Sequence, residues 1–214
     1  MTYSVKEIYY TLQGEGAHTG RPAVFLRFSG CNLWSGRETH REQAICRFCD
    51  TEFVGFDGPG GGKFESAEDL VAAVSNCWGV IRGGVRPYVV CTGGEPLLQL
   101  DEPAIAALHD AGFEIVVESN GTIEAPDGID WLCISPKGSA SLKQFSGDEL
   151  KLVYPQTEKS AQPSEFEHLS FQHFFLQPLD SPERDDNTRL AIEYCKQNPR
   201  WKLSVQTHKY LGLD

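Results

Sequence analysis

The stretch SGCNLWSGRETHREQAICRFCDTEF, residues 29–53, carries three of the seven cysteines in this 214-residue chain. Cys46 and Cys49 form a C-x-x-C pair, and fourteen residues separate Cys31 from that pair. Three thiolates are one ligand short of a closed tetrahedral metal site. The fourth position is therefore either filled by another side chain or left open for a ligand.

A structural zinc ion is one interpretation of these thiols, with His40 or Asp50 as its fourth ligand. The segment CTGGEPLL, residues 91–98, favours an open site instead, because it follows a strand-like run. Ligands bind at the carboxyl ends of parallel strands, and adjacent glycines let the backbone approach a ligand closely. The cysteines and this segment together are more specific than either alone, but these residues by themselves leave both interpretations open.

Composition indicates an ordinary globular protein. The 40% of hydrophobic and 23% of charged residues suit one domain with a sizeable core. The formal net charge of −11 argues against non-specific binding to nucleic acid or to an anionic membrane. The N-terminal residues show no signal-peptide pattern, and no stretch reaches membrane-spanning length. An odd number of cysteines, four of them isolated, indicates a reducing, cytoplasmic compartment.

Strand-like and helix-like segments alternate along the chain. Apolar runs predict strands at 22–30, 86–92, 113–119, 130–135, 150–155, 173–179 and 202–208. Helical spacing and capping residues predict helices at 66–78, 101–112 and 187–199, with a short one at 163–169. The glycine-rich segment 55–63 is expected to be a flexible surface loop. The fold class is therefore α/β, with βα units around a parallel sheet or an incomplete barrel.

Eight motifs carry a resemblance to a known family. They are TLQGEG (11–16), VFLRFSGCNLW (24–34), FCDT (48–51), VCTGGEP (90–96), ESNGT (118–122), ISPK (134–137), FFLQPLD (174–180) and LSVQTHKYL (203–211). With the three cysteines, they resemble the radical S-adenosylmethionine (SAM) superfamily, and within it the 7-carboxy-7-deazaguanine synthase family of queuosine and 7-deazapurine biosynthesis. The spacing C-x14-C-x2-C departs from the superfamily's usual C-x3-C-x2-C and narrows the resemblance to that family.

The resemblance implies one radical SAM domain over residues 1–214, with a cluster-loop insertion at about 31–49. It also implies an incomplete (β/α) barrel of the radical SAM type, with fewer helices than strands. Cys31, Cys46 and Cys49 would ligate a [4Fe–4S] cluster whose fourth iron binds SAM. The implied SAM-binding positions are Phe48, Cys49, Asp50, Gly94, Ser135, Pro136, Lys137, Phe174, Phe175, Leu176 and Gln177. Judged by residue type alone, the two phenylalanines suit core packing equally well.

The implied substrate is 6-carboxy-5,6,7,8-tetrahydropterin, converted to 7-carboxy-7-deazaguanine with loss of ammonia. Arg27 offers a fork of donors that fits the substrate carboxylate. The positions implied for the rest of the pterin are Leu12, Gln13, Gly14, Glu15, Thr92 and Asp214, the last through its backbone carboxylate. Thr51 is implied as the protein ligand of Mg²⁺, a cation that keeps part of its water shell.

The resemblance further implies a homodimer and an external one-electron reductant such as flavodoxin. Neither nucleic acid nor a membrane is expected as a partner. Two other classes stay open. One is a radical SAM activating enzyme that installs a radical on a partner protein, against which the insertion and the TLQGEG and HKYL motifs weigh. The other is a non-catalytic zinc-binding module.

Overall fold

The computed structural model describes residues 2–79 and 84–213, which form one nine-stranded sheet with helices on one face. Its strands are β1 (Tyr3–Leu12), β2 (Pro22–Phe28), β3 (Gly62–Phe64), β4 (Tyr88–Gly93), β5 (Glu114–Ser119), β6 (Trp131–Ile134), β7 (Ser146–Tyr154), β8 (Ser170–Pro178) and β9 (Trp201–Leu203). The α-helices in the described part of the chain are α1 (Ala67–Trp78), α2 (Glu102–Asp110), α3 (Arg184–Gln197) and α4 (Thr207–Leu211).

The sheet is an open one with the order β3-β1-β2-β4-β5-β6-β7-β8-β9. β1 pairs antiparallel with β2 and β3, and each neighbouring pair from β2 to β9 is parallel. Because β3 and β9 are the two ends of this order, the strands do not close into a barrel. The predicted α/β fold, an incomplete barrel with fewer helices than strands, is confirmed.

Side chains alternate between the two faces of each strand, as the pleat requires. Leu26 and Phe28 of β2 and Cys91 of β4 are fully buried in the main hydrophobic core, under α1 and α2. Their chain neighbours Arg27 and Thr92 face the opposite side, where they line a cavity. Helices α1, α2 and α3 therefore cover one face of the sheet and leave the other to the functional site.

The helix starts agree with the capping residues in the sequence. The Ser66 side chain accepts a hydrogen bond from the Asp69 backbone N–H at 3.1 Å and begins α1. The Asp101 carboxylate does the same for the Ala104 N–H at 3.1 Å and begins α2. Each cap satisfies a backbone donor that has no partner within the helix. None of the helices in residues 2–79 and 84–213 is long and apolar enough to cross a membrane.

Two predicted segments at the C-terminal side of the chain were partly wrong. Only residues 202–203 of the strand expected at 202–208 lie in β9, which pairs with β8, and Thr207–Leu211 forms α4 instead. The helix expected at 163–169 is a single 3₁₀ turn at Pro163–Glu165. Both segments are short, so tertiary contacts decide their conformation more than local preference does.

The N-terminal strand and the glycine-rich segment also differ from the prediction. Strand β1 was not predicted from the sequence, because Lys6 and Glu7 interrupt its apolar pattern. The glycine-rich segment packs along β1 instead of lying free, since the Gly58 N–H donates to Lys6 O at 3.0 Å. Farther along, the Ile8 N–H donates to Pro59 O at 2.7 Å. Side chains on Gly58, Gly60 or Gly61 would prevent this close backbone approach.

Candidate active site

A cavity of about 630 Å³ lies at the carboxyl ends of the parallel strands. This is the size of a small-molecule site, and the position is where α/β sheets bind ligands. It gathers the thiols Cys31, Cys46 and Cys49 together with Thr51. It also gathers the expected SAM positions Phe48, Asp50, Gly94, Ser135, Lys137 and Gln177. The expected substrate positions that line it are Leu12, Gln13, Gly14, Glu15, Arg27 and Thr92.

The remaining expected residues lie elsewhere. Pro136 is not part of the cavity wall, although its two neighbours are. Phe174 and Leu176 belong to the main core on the helix face, and Phe175 is buried beside His173. A role in SAM binding for these residues stays a prediction, and for Phe174 and Leu176 it would have to use main-chain atoms. Asp214 lies outside the described residues.

The cluster loop, residues 31–49, has a small core of its own. Trp34, Ala44 and Phe53 are buried together, with Cys31 and Cys49 packed against them. The Trp34 and Phe53 rings meet edge to face at 5.6 Å. This core fixes the direction from which the cysteines enter the cavity.

Arg41 holds the two ends of this loop together. Its guanidinium stacks over Trp34 at 4.1 Å and pairs with Glu38. It also donates to the backbone oxygens of Arg47 at 2.7 Å and Cys49 at 3.0 Å. A single side chain thus ties the long insertion to the C-x-x-C pair.

The thiols carry perturbed pKa values. Burial raises the pKa of Cys31. The Cys46 thiol hydrogen-bonds the Cys49 sulfur, which lowers the pKa of Cys49 to about 6. The same hydrogen bond, with burial, raises the pKa of Cys46. Metal binding would displace protons from these thiols, because the thiolate is the ligand.

Neither side chain considered as a fourth zinc ligand joins the thiols. His40 Nδ1 lies 2.9 Å from Ser35 Oγ, and the Asp50 carboxylate pairs with Lys209. Within residues 2–79 and 84–213, no three His, Cys, Asp or Glu side chains converge as they do around a single metal ion. Both candidate fourth ligands are therefore engaged with other side chains in this structure.

Two glycines bring the end of β4 against the cluster loop. A Cβ on Gly94 would lie 2.2 Å from Gly30 O and 2.7 Å from Cys31 Cβ. Gly93 has a φ of +148°, and a Cβ there would lie 2.2 Å from Phe28 O. Glycine is required because the loop backbone passes directly over β4.

Glu95 joins three neighbouring segments at the same edge. Its buried carboxylate accepts hydrogen bonds from Leu97 N at 3.0 Å, Ser119 Oγ at 2.9 Å and Asn120 N at 2.8 Å. Asn120 Nδ2 in turn donates to Asn32 Oδ1 at 2.9 Å, next to the first cysteine. Burial raises the pKa of Glu95, but the three donors stabilise its ionised form. The GGEP and ESNGT motifs therefore act together to position the cluster loop.

Arg27 is held at the cavity wall by two neighbours on β1. Its Nε donates to Glu7 Oε1 at 2.7 Å, and its Nη2 donates to the Tyr9 hydroxyl at 3.0 Å. A guanidinium has five N–H donors, so these two contacts leave others for a ligand. Its neighbour in register on β4 is Thr92.

The C-terminal helix closes one side of the cavity. Thr207 donates from both its N–H and its hydroxyl to Gly14 O at 2.9 Å. Lys209 bridges the carboxylates of Asp50 and Asp180. Helix α4 is thereby tied to the β1–β2 loop and to the end of the C-x-x-C segment.

Comparison with known proteins assigns this chain to a family. It is 63% identical over 213 residues to the 7-carboxy-7-deazaguanine synthase of Caulobacter vibrioides, and all of both chains is covered. It is 54% identical over 217 residues to the enzyme of the same name from Nitratidesulfovibrio vulgaris, again over all of both chains. The chain belongs to the 7-carboxy-7-deazaguanine synthase family.

The fold agrees with this membership. The crystal structure of QueE from Escherichia coli superposes with a TM-score of 0.73 at 29% identity, covering 97% of this chain and 95% of that chain. No family model matches the sequence. The resemblance seen in the motifs is confirmed, and the chain is an enzyme of the 7-carboxy-7-deazaguanine synthase family.

The cavity of this synthase family member fits a [4Fe–4S] cluster with an adjoining ligand. Three soft thiolate donors line one wall, which suits iron–sulfur chemistry. The glycines of β4 keep the loop with Cys31 against the sheet, and the thiols sit at one end of a cavity large enough for further groups.

The cavity of this synthase is also lined by residues that the sequence did not predict as site residues. Among them are Glu118 of β5, Lys151 of β7, Gln206 and His208. Glu118 stands in the ESNGT motif, which signalled the family but not the role of its glutamate. Lys151 lies in an apolar strand, where the sequence pattern predicts that a lone lysine is exposed to solvent.

Proposed function

We propose that this chain is a carbon–nitrogen lyase that converts 6-carboxy-5,6,7,8-tetrahydropterin to 7-carboxy-7-deazaguanine and ammonia, as a step of queuosine or 7-deazapurine biosynthesis. The observation that carries the proposal is the single cavity lined by three thiols, the Arg27 guanidinium and the Glu15 carboxylate. Thiols supply cluster ligands, and the two charged groups complement a substrate with one carboxylate and one donor-rich edge.

The cluster and SAM would occupy the end of the cavity near the cluster loop. Cys31, Cys46 and Cys49 would hold the [4Fe–4S] cluster. The reduced cluster would supply radical chemistry from bound SAM, which would act as a cofactor and not be consumed. SAM would be bound by residues Phe48 to Asp50, Gly94, Ser135 to Lys137 and Phe174 to Gln177. Lys137 supports this placement, because it donates to Ser135 Oγ at 2.6 Å and lies 6.0 Å from the Phe48 ring.

The pterin would lie against the opposite wall. Arg27 would bind its carboxylate through the guanidinium donors left over from Glu7 and Tyr9. Leu12 to Glu15 and Thr92 would meet the ring, with Glu15 accepting hydrogen bonds from the amino-pyrimidinone edge. Binding at fixed points on both ends would orient the reacting carbon toward the cluster side of the cavity.

Thr51 would supply one hydroxyl to Mg²⁺, with substrate oxygens and water completing the shell. The position of Thr51 supports this role, because the residue lies two positions after Cys49 and lines the cavity. Arg27 and Mg²⁺ would then share the substrate's carboxylate side.

A homodimer, an external one-electron reductant such as flavodoxin, and a cytoplasmic location complete the proposal. The dimer and the reductant rest on the family resemblance. The cytoplasmic location rests on the seven cysteines, which are all free thiols and would stay reduced there.

Anaerobic incubation of reconstituted protein with SAM, a reductant, Mg²⁺ and the pterin tests the proposal, with mass analysis of the products. We expect a brown, iron-rich protein that forms 7-carboxy-7-deazaguanine and ammonia without any protein partner. Turnover that requires a partner protein would indicate an activating enzyme. A colourless, zinc-rich protein with no turnover would indicate the zinc-binding module.

A further inference from the structure

Lys151 is a buried cation in the floor of the cavity. Its side chain is 4% exposed, and its Nζ lies 2.6 Å from Glu15 Oε2 and 2.8 Å from Glu118 Oε2. Both carboxylates line the same cavity. They come from the β1–β2 loop and from β5, so the lysine on β7 joins three separate parts of the fold.

The other oxygen of each carboxylate is held by side-chain amides. Glu118 Oε1 accepts from Gln13 Nε2 at 3.0 Å. Glu15 Oε1 accepts from Gln177 Nε2 and from Gln206 Nε2, each at 3.1 Å. Both carboxylates are thus fixed in orientation, with one oxygen on the ammonium and one on neutral donors.

The floor holds more negative than positive groups. Besides Glu15 and Glu118, Lys151 faces Glu149 on its own strand and Cys133 on β6. His208 on α4 lies near Glu15. Burial opposes ionisation of Glu15, but the Lys151 ammonium outweighs it and holds the pKa of Glu15 at about 2. For Glu149, burial dominates and raises the pKa.

Two ionised carboxylates this close are stable only with a cation between them, since like charges sharing a site otherwise hold one proton. A protonated carboxyl would present a donor where an amino-pyrimidinone edge also presents donors. The state of the pair therefore decides whether this wall can accept hydrogen bonds from such an edge.

We propose that Lys151 is a positioning residue, which keeps Glu15 and Glu118 ionised and aimed so that the cavity accepts the donor-rich edge of the substrate. The inference rests on the proposed function, because it takes the pterin as the ligand. Lys151 acts through the two carboxylates, and its removal should affect substrate binding more than the chemical step.

The test uses reconstituted holoenzyme with Lys151→Met, Lys151→Arg and the control Lys202→Met. Lys202 is an exposed lysine on β9 outside the cavity wall. We expect Lys151→Met to raise the KM for the pterin about 10- to 100-fold, the size expected for losing charge-assisted hydrogen bonds. Iron content and SAM binding should match wild type, kcat should change less than KM, and Lys151→Arg should recover part of the affinity.

The pH profile separates positioning from a merely structural role. Wild-type KM should be flat from about pH 6 to 9, because the Lys151 ammonium holds the pKa of Glu15 far below this range. The KM of Lys151→Met should fall as pH rises, because without the ammonium, burial raises the pKa of Glu15 and its proton leaves only at higher pH. A Lys151→Met enzyme with wild-type KM at every pH would overturn the proposal.

A double variant keeps the test valid if Lys151→Met does not fold. Lys151→Met/Glu118→Gln removes one charge of each sign and is compared with Glu118→Gln alone. We expect the double variant to bind the pterin more weakly, with a pH dependence from Glu15. Equal affinity of the two at every pH would overturn the proposal. Wild-type protein that fails to turn over the pterin would instead refute the proposed function, and this inference with it.

Discussion

The two faces of the sheet differ in what they bury. On the helix face, the main core consists of aliphatic and aromatic side chains with a cysteine, contributed by the strands and by α1, α2 and α3. On the cavity face, Lys151 and Glu149 are just as inaccessible but charged or ionisable. Adjacent residues of one strand therefore have different roles. On β8, Leu176 packs in the core and Gln177 lines the cavity.

This difference separates stability from recognition. Burying apolar surface on the helix face favours folding in proportion to its area. Burying charges on the cavity face costs solvation free energy, which close pairing must offset, so such groups are weak stabilisers at best. Substitutions on the helix face should thus change the free energy of unfolding, while those on the cavity face should change binding and turnover.

The cluster thiols should show the largest effect. Replacing Cys31, Cys46 or Cys49 with Ala should abolish turnover and most iron binding, because each is a cluster ligand in the proposal. Cys77→Ala is the control on the helix face, where the thiol packs against the core as a small apolar group. Iron analysis and turnover measure both. An active Cys46→Ala enzyme would contradict the radical SAM assignment.

Replacing Thr51 should have the second-largest effect on turnover. Thr51→Ala should lose most activity and its dependence on Mg²⁺, because the hydroxyl oxygen is gone. Thr51→Ser should keep both in part, since it retains the oxygen. Turnover is measured across a Mg²⁺ titration, and equal stimulation of wild type and Thr51→Ala would exclude the role.

The neighbours Leu176 and Gln177 offer the sharpest matched pair. Leu176→Ala should lower the free energy of unfolding by about 2–5 kcal/mol through a core cavity, with little change in KM for SAM or the pterin. Gln177→Ala should cost less stability but raise the pterin KM, because Glu15 loses an amide donor. Denaturant unfolding and steady-state kinetics measure both. The reverse pattern would show that the two faces are not separable.

The smallest expected effect is on the melting temperature Tm at acidic pH. Glu15 has a folded pKa of about 2, below its ordinary value of 4.5, so its stabilisation is present above pH 4.5 and is lost as pH falls toward 2. Glu15→Gln should flatten the fall of Tm in that window. Glu149 acts with the opposite sign, because its raised pKa makes protonation favour the folded state. That gain lies above pH 4.5, so Glu149→Gln should remove a rise of Tm as pH falls toward 4.5 and leave the profile below 4.5 unchanged. Identical profiles for the two variants would refute this assignment.

Local signals in the sequence predicted much of the fold. Ser66 and Asp101 mark helix starts because a capping side chain bonds an N–H only two or three residues away. The central strands are continuous apolar runs because both of their faces are buried. The three cysteines and the GGEP segment predicted the cavity edge, since strand ends converge there in any parallel sheet.

Tertiary structure alone decided the charge pairing inside the cavity. Glu15, Glu118 and Lys151 are each more than thirty residues apart in the chain, and only the strand order brings them within hydrogen-bonding distance. The same holds for α4, whose short segment reads as a strand until its contacts with Gly14 and Asp50 are known. Periodicity reports which residues turn inward. It does not report which inward residues meet, because that depends on the register of strands distant in sequence.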